Sequence, residues 1–133
     1  MKLLSAALLA LVVPASAAAA LEVKLSVVPT SPRKGASSVV QLRPYWTKYR
    51  ADGTCCRLEP ADVSYPFKVE AVSPTGRVFR VVVRRTKKSR FVWAGSFVFG
   101  RTGMWTLRAP QWGPRYSRNY GARPRVRFAV RAA

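Results

Sequence analysis

Between residues 21 and 131 apolar side chains recur at every second position, in short runs that proline and glycine interrupt. A period of two puts successive side chains on opposite faces of an extended backbone, so these runs fit half-buried β-strands. Leu21, Val23, Leu25 and Val27 alternate with Glu22, Lys24 and Ser26, and Pro29 ends that run. After a turn at residues 30–35, Val40 and Leu42 face inward on a second strand expected to stop before Pro44. Phe67, Val69 and Ala71 alternate with Lys68 and Glu70. Ser73-Pro74-Thr75-Gly76 then places proline and glycine at the second and fourth positions of a type I turn. The expected return strand sets Phe79, Val81 and Val83 on one face and Arg80 and Arg84 on the other.

Lys87-Lys88-Ser89-Arg90 is polar enough to be a loop. Trp93, Gly95, Phe97 and Phe99 then alternate with Ala94, Ser96 and Val98, and residues 100–103 turn into a strand with Trp105 and Leu107 inside. Val126, Phe128 and Val130 alternate with Arg125, Arg127 and Arg131 in a closing strand. No run beyond the N-terminal segment keeps a helical period. The expected fold is all-β, an immunoglobulin-like antiparallel sandwich of about seven strands. Two long connections, Tyr45 to Tyr65 and Ala109 to Pro124, are where a β-scaffold carries binding residues.

The stretch Trp93-Ala94-Gly95-Ser96-Phe97-Val98-Phe99, followed by Gly103-Met104-Trp105-Thr106-Leu107, resembles the penultimate hairpin of small exported bacterial immunoglobulin-like domains. The nearest families are the YtkA-like and copper-resistance-type sandwiches. The resemblance implies the fold across residues 22 to 131 but not the copper role. Copper-binding members use histidine and methionine, and this chain has no histidine and, beyond Met1, only Met104.

Residues 1–20 read as a cleavable signal peptide. Lys2 supplies the positive start, Leu3 to Val13 the apolar stretch, and Ala15-Ser16-Ala17 and Ala18-Ala19-Ala20 the small residues a signal peptidase accepts. The apolar stretch is well short of the roughly 20 residues a membrane span needs. Residues 21–133 are expected to form a single β-sandwich domain, secreted or otherwise outside the cytoplasm, with no transmembrane segment.

Lysine and arginine number 24 against 5 aspartates and glutamates, a net charge of +19 that falls by one when Lys2 leaves. GC-rich codons account for the preference for arginine over lysine, but not for the scarcity of carboxylates. Such a surface attracts polyanions. Export turns the expected partner from nucleic acid, which is then third in line, to anionic envelope polymers or lipid surfaces. An exported protein partner is the alternative.

Without histidine the commonest general base is absent. Asp52, Glu59 and Asp62 fall in one connection, where neighbouring arginines are expected to pair them rather than leave them free for acid–base work. No glycine-rich phosphate cradle is present. The expectation is therefore a non-enzymatic protein with no cofactor, catalytic residue or metal site.

Two features stand apart. Cys55 and Cys56 are adjacent, and their Cα separation of about 3.8 Å falls below the usual disulfide range of about 4.4–6.8 Å. Three states are compatible with them: a strained vicinal disulfide, a bond to another chain, and reduced thiols. Near the C-terminus, Trp112, Tyr116 and Tyr120 interleave with Arg115, Arg118 and Arg123. Aromatic faces that stack on rings beside guanidinium groups that clamp phosphate or carboxylate make these six the candidate ligand-binding residues.

Overall fold

The computed structural model describes residues 20–48, 50–54, 57–64, 67–111 and 124–133, so positions 1–19 of the segment read as a signal peptide lie outside the described residues, while Ala20 begins the first strand. The alternating runs become antiparallel strands. Leu21, Val23 and Val27 are buried on β1 (Ala20–Val28), while Glu22, Lys24 and Ser26 are exposed. β2 (Ser37–Lys48) lies along β1 over its whole length, with Leu42 opposite Leu25. β3 (Arg57–Pro60), β4 (Lys68–Val72), β5 (Val78–Val81), β6 (Arg84–Arg85), β7 (Trp93–Val98), β8 (Gly103–Gln111) and β9 (Arg125–Val130) complete the described set.

One sheet has the order β1-β2-β7-β6, with β3 also paired to β2, and the other has the order β5-β4-β8-β9. With β3 set aside as an insertion, this is the immunoglobulin arrangement, A-B-E-D facing C-F-G with an added strand beside C. Arg33 forms a parallel bridge with Arg131, tying the end of β9 to the β1–β2 turn. The expected all-β sandwich is therefore the fold. Among the described residues no helix is long and apolar enough to cross a membrane.

The inner faces meet in an aromatic core. Phe99 and Trp105 are 0% and 2% exposed. Phe99 packs edge-on against Phe97, Trp105 and Phe128, with ring centroids 4.8, 5.1 and 5.1 Å away. Val40, Leu42, Val69, Ala71 and Leu107 are fully buried around them. Each large apolar side chain sealed this way contributes roughly 1.5–3 kcal/mol. At the strand positions that a disulfide links in antibody domains, β2 and β8 carry Val40, Leu42, Trp105 and Leu107 instead.

The hairpin from β4 to β5 forms as its turn residues direct. The Gly76 amide donates to the Ser73 carbonyl at 2.9 Å, and Gly76 takes φ of +89°. A type I turn followed by a left-handed glycine matches the right-handed twist of the flanking strands.

Three expectations need correction. β2 does not stop at Pro44 but continues to Lys48. Its neighbour changes there, from β7 (through Leu42) to β3 (from Tyr45), and the Pro44 carbonyl still accepts from the Ala61 amide at 3.0 Å. The proline thus forfeits a single hydrogen bond, which a strand tolerates at such a break. Second, the Tyr45–Tyr65 connection is partly strand, because Arg57–Pro60 pairs with β2, although it is only four residues long and buries neither face. Third, the single return strand divides into β5 in one sheet and β6 in the other, with Val82 and Val83 crossing between them. The expected facing survives that split, since Val81 and Val83 are buried while Arg80 and Arg84 are exposed.

Candidate anion-binding surface

Trp112, Arg115, Tyr116, Arg118, Tyr120 and Arg123 lie outside the described residues, as do Cys55 and Cys56. The stems that carry these segments are in place. β8 runs to Gln111, later than expected, and the Ala109 amide donates to the Pro124 carbonyl at 3.2 Å to close the base of the second connection. In the first, Lys48 at the end of β2 pairs with Arg57 at the start of β3.

Both connections leave the same end of the sandwich. Lys68 at the start of β4 lies opposite Gln111, and Phe67 just before it meets Trp93, at the start of β7, with centroids 5.1 Å apart. The link from β6 to β7, with exposed Lys87, Lys88 and Arg90, turns at that end too. The stems of two loops far apart in sequence thereby spring from one pole, which no pattern within either loop encodes.

The outer face of the second sheet runs up to these stems. Residues paired directly across antiparallel strands share a face. Arg80, Glu70, Arg108 and Arg125 are paired in succession across β5, β4, β8 and β9. In the adjacent row Val78, Val72, Thr106 and Arg127 do the same. Glu70 is the one carboxylate in these rows, and Arg108 Nε donates to its Oε1 at 2.9 Å. Arg80, Arg125 and Arg127 are exposed and have no ion-pair partner among the described residues. Arg108 and Arg125 also line a hollow with Pro110 and Pro124, beside the second connection.

All five aspartate and glutamate residues fall within the described segments. Glu59 is held by Lys48 Nζ at 2.8 Å and by Arg57. Donation from Lys48 first, and then from Arg57, lowers its carboxyl to about 2, so it stays ionised and weakly basic at neutral pH. Asp62 pairs with Arg85 and, at 3.8 Å, with Arg90. Those two match the expectation of ion pairing. Asp52 does not, since its Oδ1 accepts from the Thr54 hydroxyl at 2.6 Å and the Thr54 amide at 2.9 Å. These two donors, the hydroxyl first, lower its pKa. It caps the hairpin turn through local hydrogen bonds.

The opposite pole carries no aspartate or glutamate. Arg33 and Lys34 come from the β1–β2 turn, Arg77 from the β4–β5 turn, Arg101 from the β7–β8 turn, and Arg131 follows β9. The Lys34 amide donates to the Arg131 carbonyl at 2.8 Å, and the Gly35 amide to the Phe99 carbonyl at 3.0 Å, which gathers these turns together. Charge is therefore segregated. Carboxylates sit toward the long-loop pole and within the strands, and the turn pole is purely cationic among its side chains.

Reading by sequence took Arg80, Arg125 and Arg127 as outward charges but not as one surface. The alternation of Arg125 and Arg127 with Val126 shows which way they face. Only cross-strand register shows that they share a face with Arg80. No protein-family model matches this chain, and neither a curated protein nor a solved structure shows significant similarity to it.

Proposed function

We propose that this is a non-enzymatic, exported β-sandwich that associates electrostatically with anionic envelope polymers or lipid surfaces. The observation that carries this reading is the charge layout. Three of the five carboxylates are held in ion pairs, and the outer face around Arg80, Arg125 and Arg127 and the turn pole present cations without matching acids. The connection between β8 and β9 adds, in sequence, Trp112, Tyr116 and Tyr120 with Arg115, Arg118 and Arg123, residue types that supply stacking as well as charge. Each contact is weak when exposed, so binding comes from many arginines acting together and falls steeply with salt. The likeness to YtkA-like sandwiches enters this reading as shared architecture, without the copper ligands.

Fractionation tests it. The protein is expected to sediment with envelope material at low ionic strength and to leave it well below molar salt. Retention in molar salt, or no sedimentation at any salt, rejects the reading.

A second reading, an accessory domain of an exported complex, draws support from an apolar patch on the outer face of the first sheet. Val28 pairs with Val39, and Val98 stands diagonal to Val39, each 38–51% exposed. Intact mass with and without reductant separates the roles of Cys55 and Cys56. A disulfide-linked dimer favours assembly, while a monomer short of two hydrogens indicates the vicinal bond.

A further inference from the structure

We infer that the cleft lined by Phe79, Phe97, Arg77 and Arg101 is a binding site for a small ligand in which an apolar ring carries an anionic group. The inference does not depend on envelope association, since it concerns one local cleft and not the spread of surface charge.

The cleft arises from the way the chain changes sheets. β5 leaves the second sheet at Val81 and reaches the first only at Arg84, toward the long-loop pole. Near the turn pole the two sheets are therefore not laced together beside β5, and Phe79 of β5 packs edge-on against Phe97 of β7, with centroids 6.1 Å apart at 65°, leaving a hollow beside the pair. Both rings are only half-buried, although each touches the core through Trp105, at 5.9 and 6.2 Å. The space is about 340 Å³. That lies within the roughly 300–1,000 Å³ of small-molecule sites and suits one ring rather than a polymer.

The floor is apolar and the rim cationic. The indole N–H of Trp105 is spent on the Arg101 carbonyl at 2.8 Å, so it offers a ligand no donor. The same bond holds the Arg101 turn against the floor. The Arg77 guanidinium stands 4.9 Å from the centre of the Phe79 ring. The Ser73 hydroxyl is engaged with the Arg77 amide at 3.1 Å and with Thr75 Oγ1 at 3.0 Å, which fixes the turn from which Arg77 projects. Arg77 and Arg101 thus flank an aromatic floor at the pole without aspartate or glutamate, and neither has a carboxylate partner among the described residues. An apolar ring seated in the hollow against Phe97 and Phe79, beside the Arg77 guanidinium that lies over the Phe79 ring, gains aromatic contact. A carboxylate, phosphate or sulfonate on that ring meets two planar guanidinium groups able to hold it bidentately. A neutral ring leaves both cations uncompensated, and a bare anion leaves the floor wet.

Titration with phenyl phosphate, followed by amide and indole chemical shifts on the whole protein, tests the site. Saturable one-to-one binding is expected, centred on Arg77, Phe79, Phe97, Arg101 and the Trp105 indole N–H. Inorganic phosphate and phenol are each expected to bind about tenfold more weakly or worse, each lacking one half of the recognition. The double substitution Arg77→Gln with Arg101→Gln changes exposed side chains and leaves the fold intact. It is expected to weaken binding about tenfold or more. Arg33→Gln with Lys34→Gln removes two charges from the same pole without touching the cleft, and is expected to change affinity less than about twofold. Shifts spread over the whole basic surface, inorganic phosphate binding as well as phenyl phosphate, or equal losses in the two double variants would each overturn the inference.

Discussion

The carbonyl group of Val82 fills the space that a side chain on Gly95 would need. A Cβ built there would lie 2.9 Å from the Val82 carbonyl carbon and closer still to its oxygen. This is where the chain passes from the second sheet to the first, so the glycine of the Gly95-Ser96-Phe97 segment is a crossing point for backbone.

Gly95→Ala is therefore expected to cost stability at or above the top of the range of about 1–3 kcal/mol for overpacked sites. The neighbour is backbone and cannot rotate away. Thermal unfolding checks this, with Gly100→Ala as the control, because nothing lies within 4 Å of a Cβ at that position. A Gly95→Ala protein as stable as the control would mean that the crossing is not tight.

Glu70→Gln removes the single acid from the arginine rows on the outer face. A unit charge about 7 Å away in water is worth ~0.6 kcal/mol, so affinity for dextran sulfate is expected to rise about threefold at low salt. The gain is expected to vanish in molar salt as screening takes over. The ion pair itself is partly exposed, so its loss should cost at most about 1 kcal/mol of stability. Unchanged or weaker retention would count against this face as the binding surface.

Glu59 predicts a defined acid response. Its folded carboxyl is lowered to about 2 from an ordinary value of 4.5. A lowered acid favours the folded state above its unfolded pKa and ceases to do so as pH falls through the folded value. The stability difference between the protein and its Glu59→Gln variant is therefore expected to be constant above about pH 4.5 and to shrink toward zero near pH 2. A carboxyl-carbon titration of Glu59 with its midpoint at about 4 or higher would show that Lys48 and Arg57 do not hold it.

Trp105 joins the two sheets, touching Phe79 of β5, Phe97 of β7 and Phe99 while anchoring the Arg101 turn. Trp105→Ala is expected to cost about 3–5 kcal/mol, as truncation of a buried aromatic does. Trp105→Phe should cost less, and its remaining deficit should include the lost indole hydrogen bond to Arg101. Equal penalties for the two variants, measured by denaturant unfolding, would place the whole effect in that hydrogen bond rather than in packing.

Alternation made most of the fold legible. Val23, Val40, Val69, Val81, Leu107 and Phe128 were all assignable to the core because a period of two leaves one choice of face per strand. Pro44 and Arg57–Pro60 misled for an opposite reason. A proline's cost depends on whether a neighbour needs its missing N–H, and at the changeover from β7 to β3 only one bond is lost. The charged Arg57–Pro60 segment becomes a strand because β2 offers it an edge, not because its own residues favour one. The cleft was not legible at all. Arg77 and Arg101 belong to different turns, and Phe79 and Phe97 to different sheets.

By itself the sequence determined the all-β class, the faces of the strands, the hairpin at Ser73–Gly76 and an excess of cations that carboxylates cannot match. Those follow from local rules, since side-chain period, turn stereochemistry and charge count depend only on neighbours in the chain. The tertiary structure decided which strands pair, that the chain changes sheets over Gly95, that both long connections share a pole, and that Arg77 and Arg101 flank one aromatic floor. Register and sheet order arise from contacts between segments distant in sequence, and no local pattern carries that information.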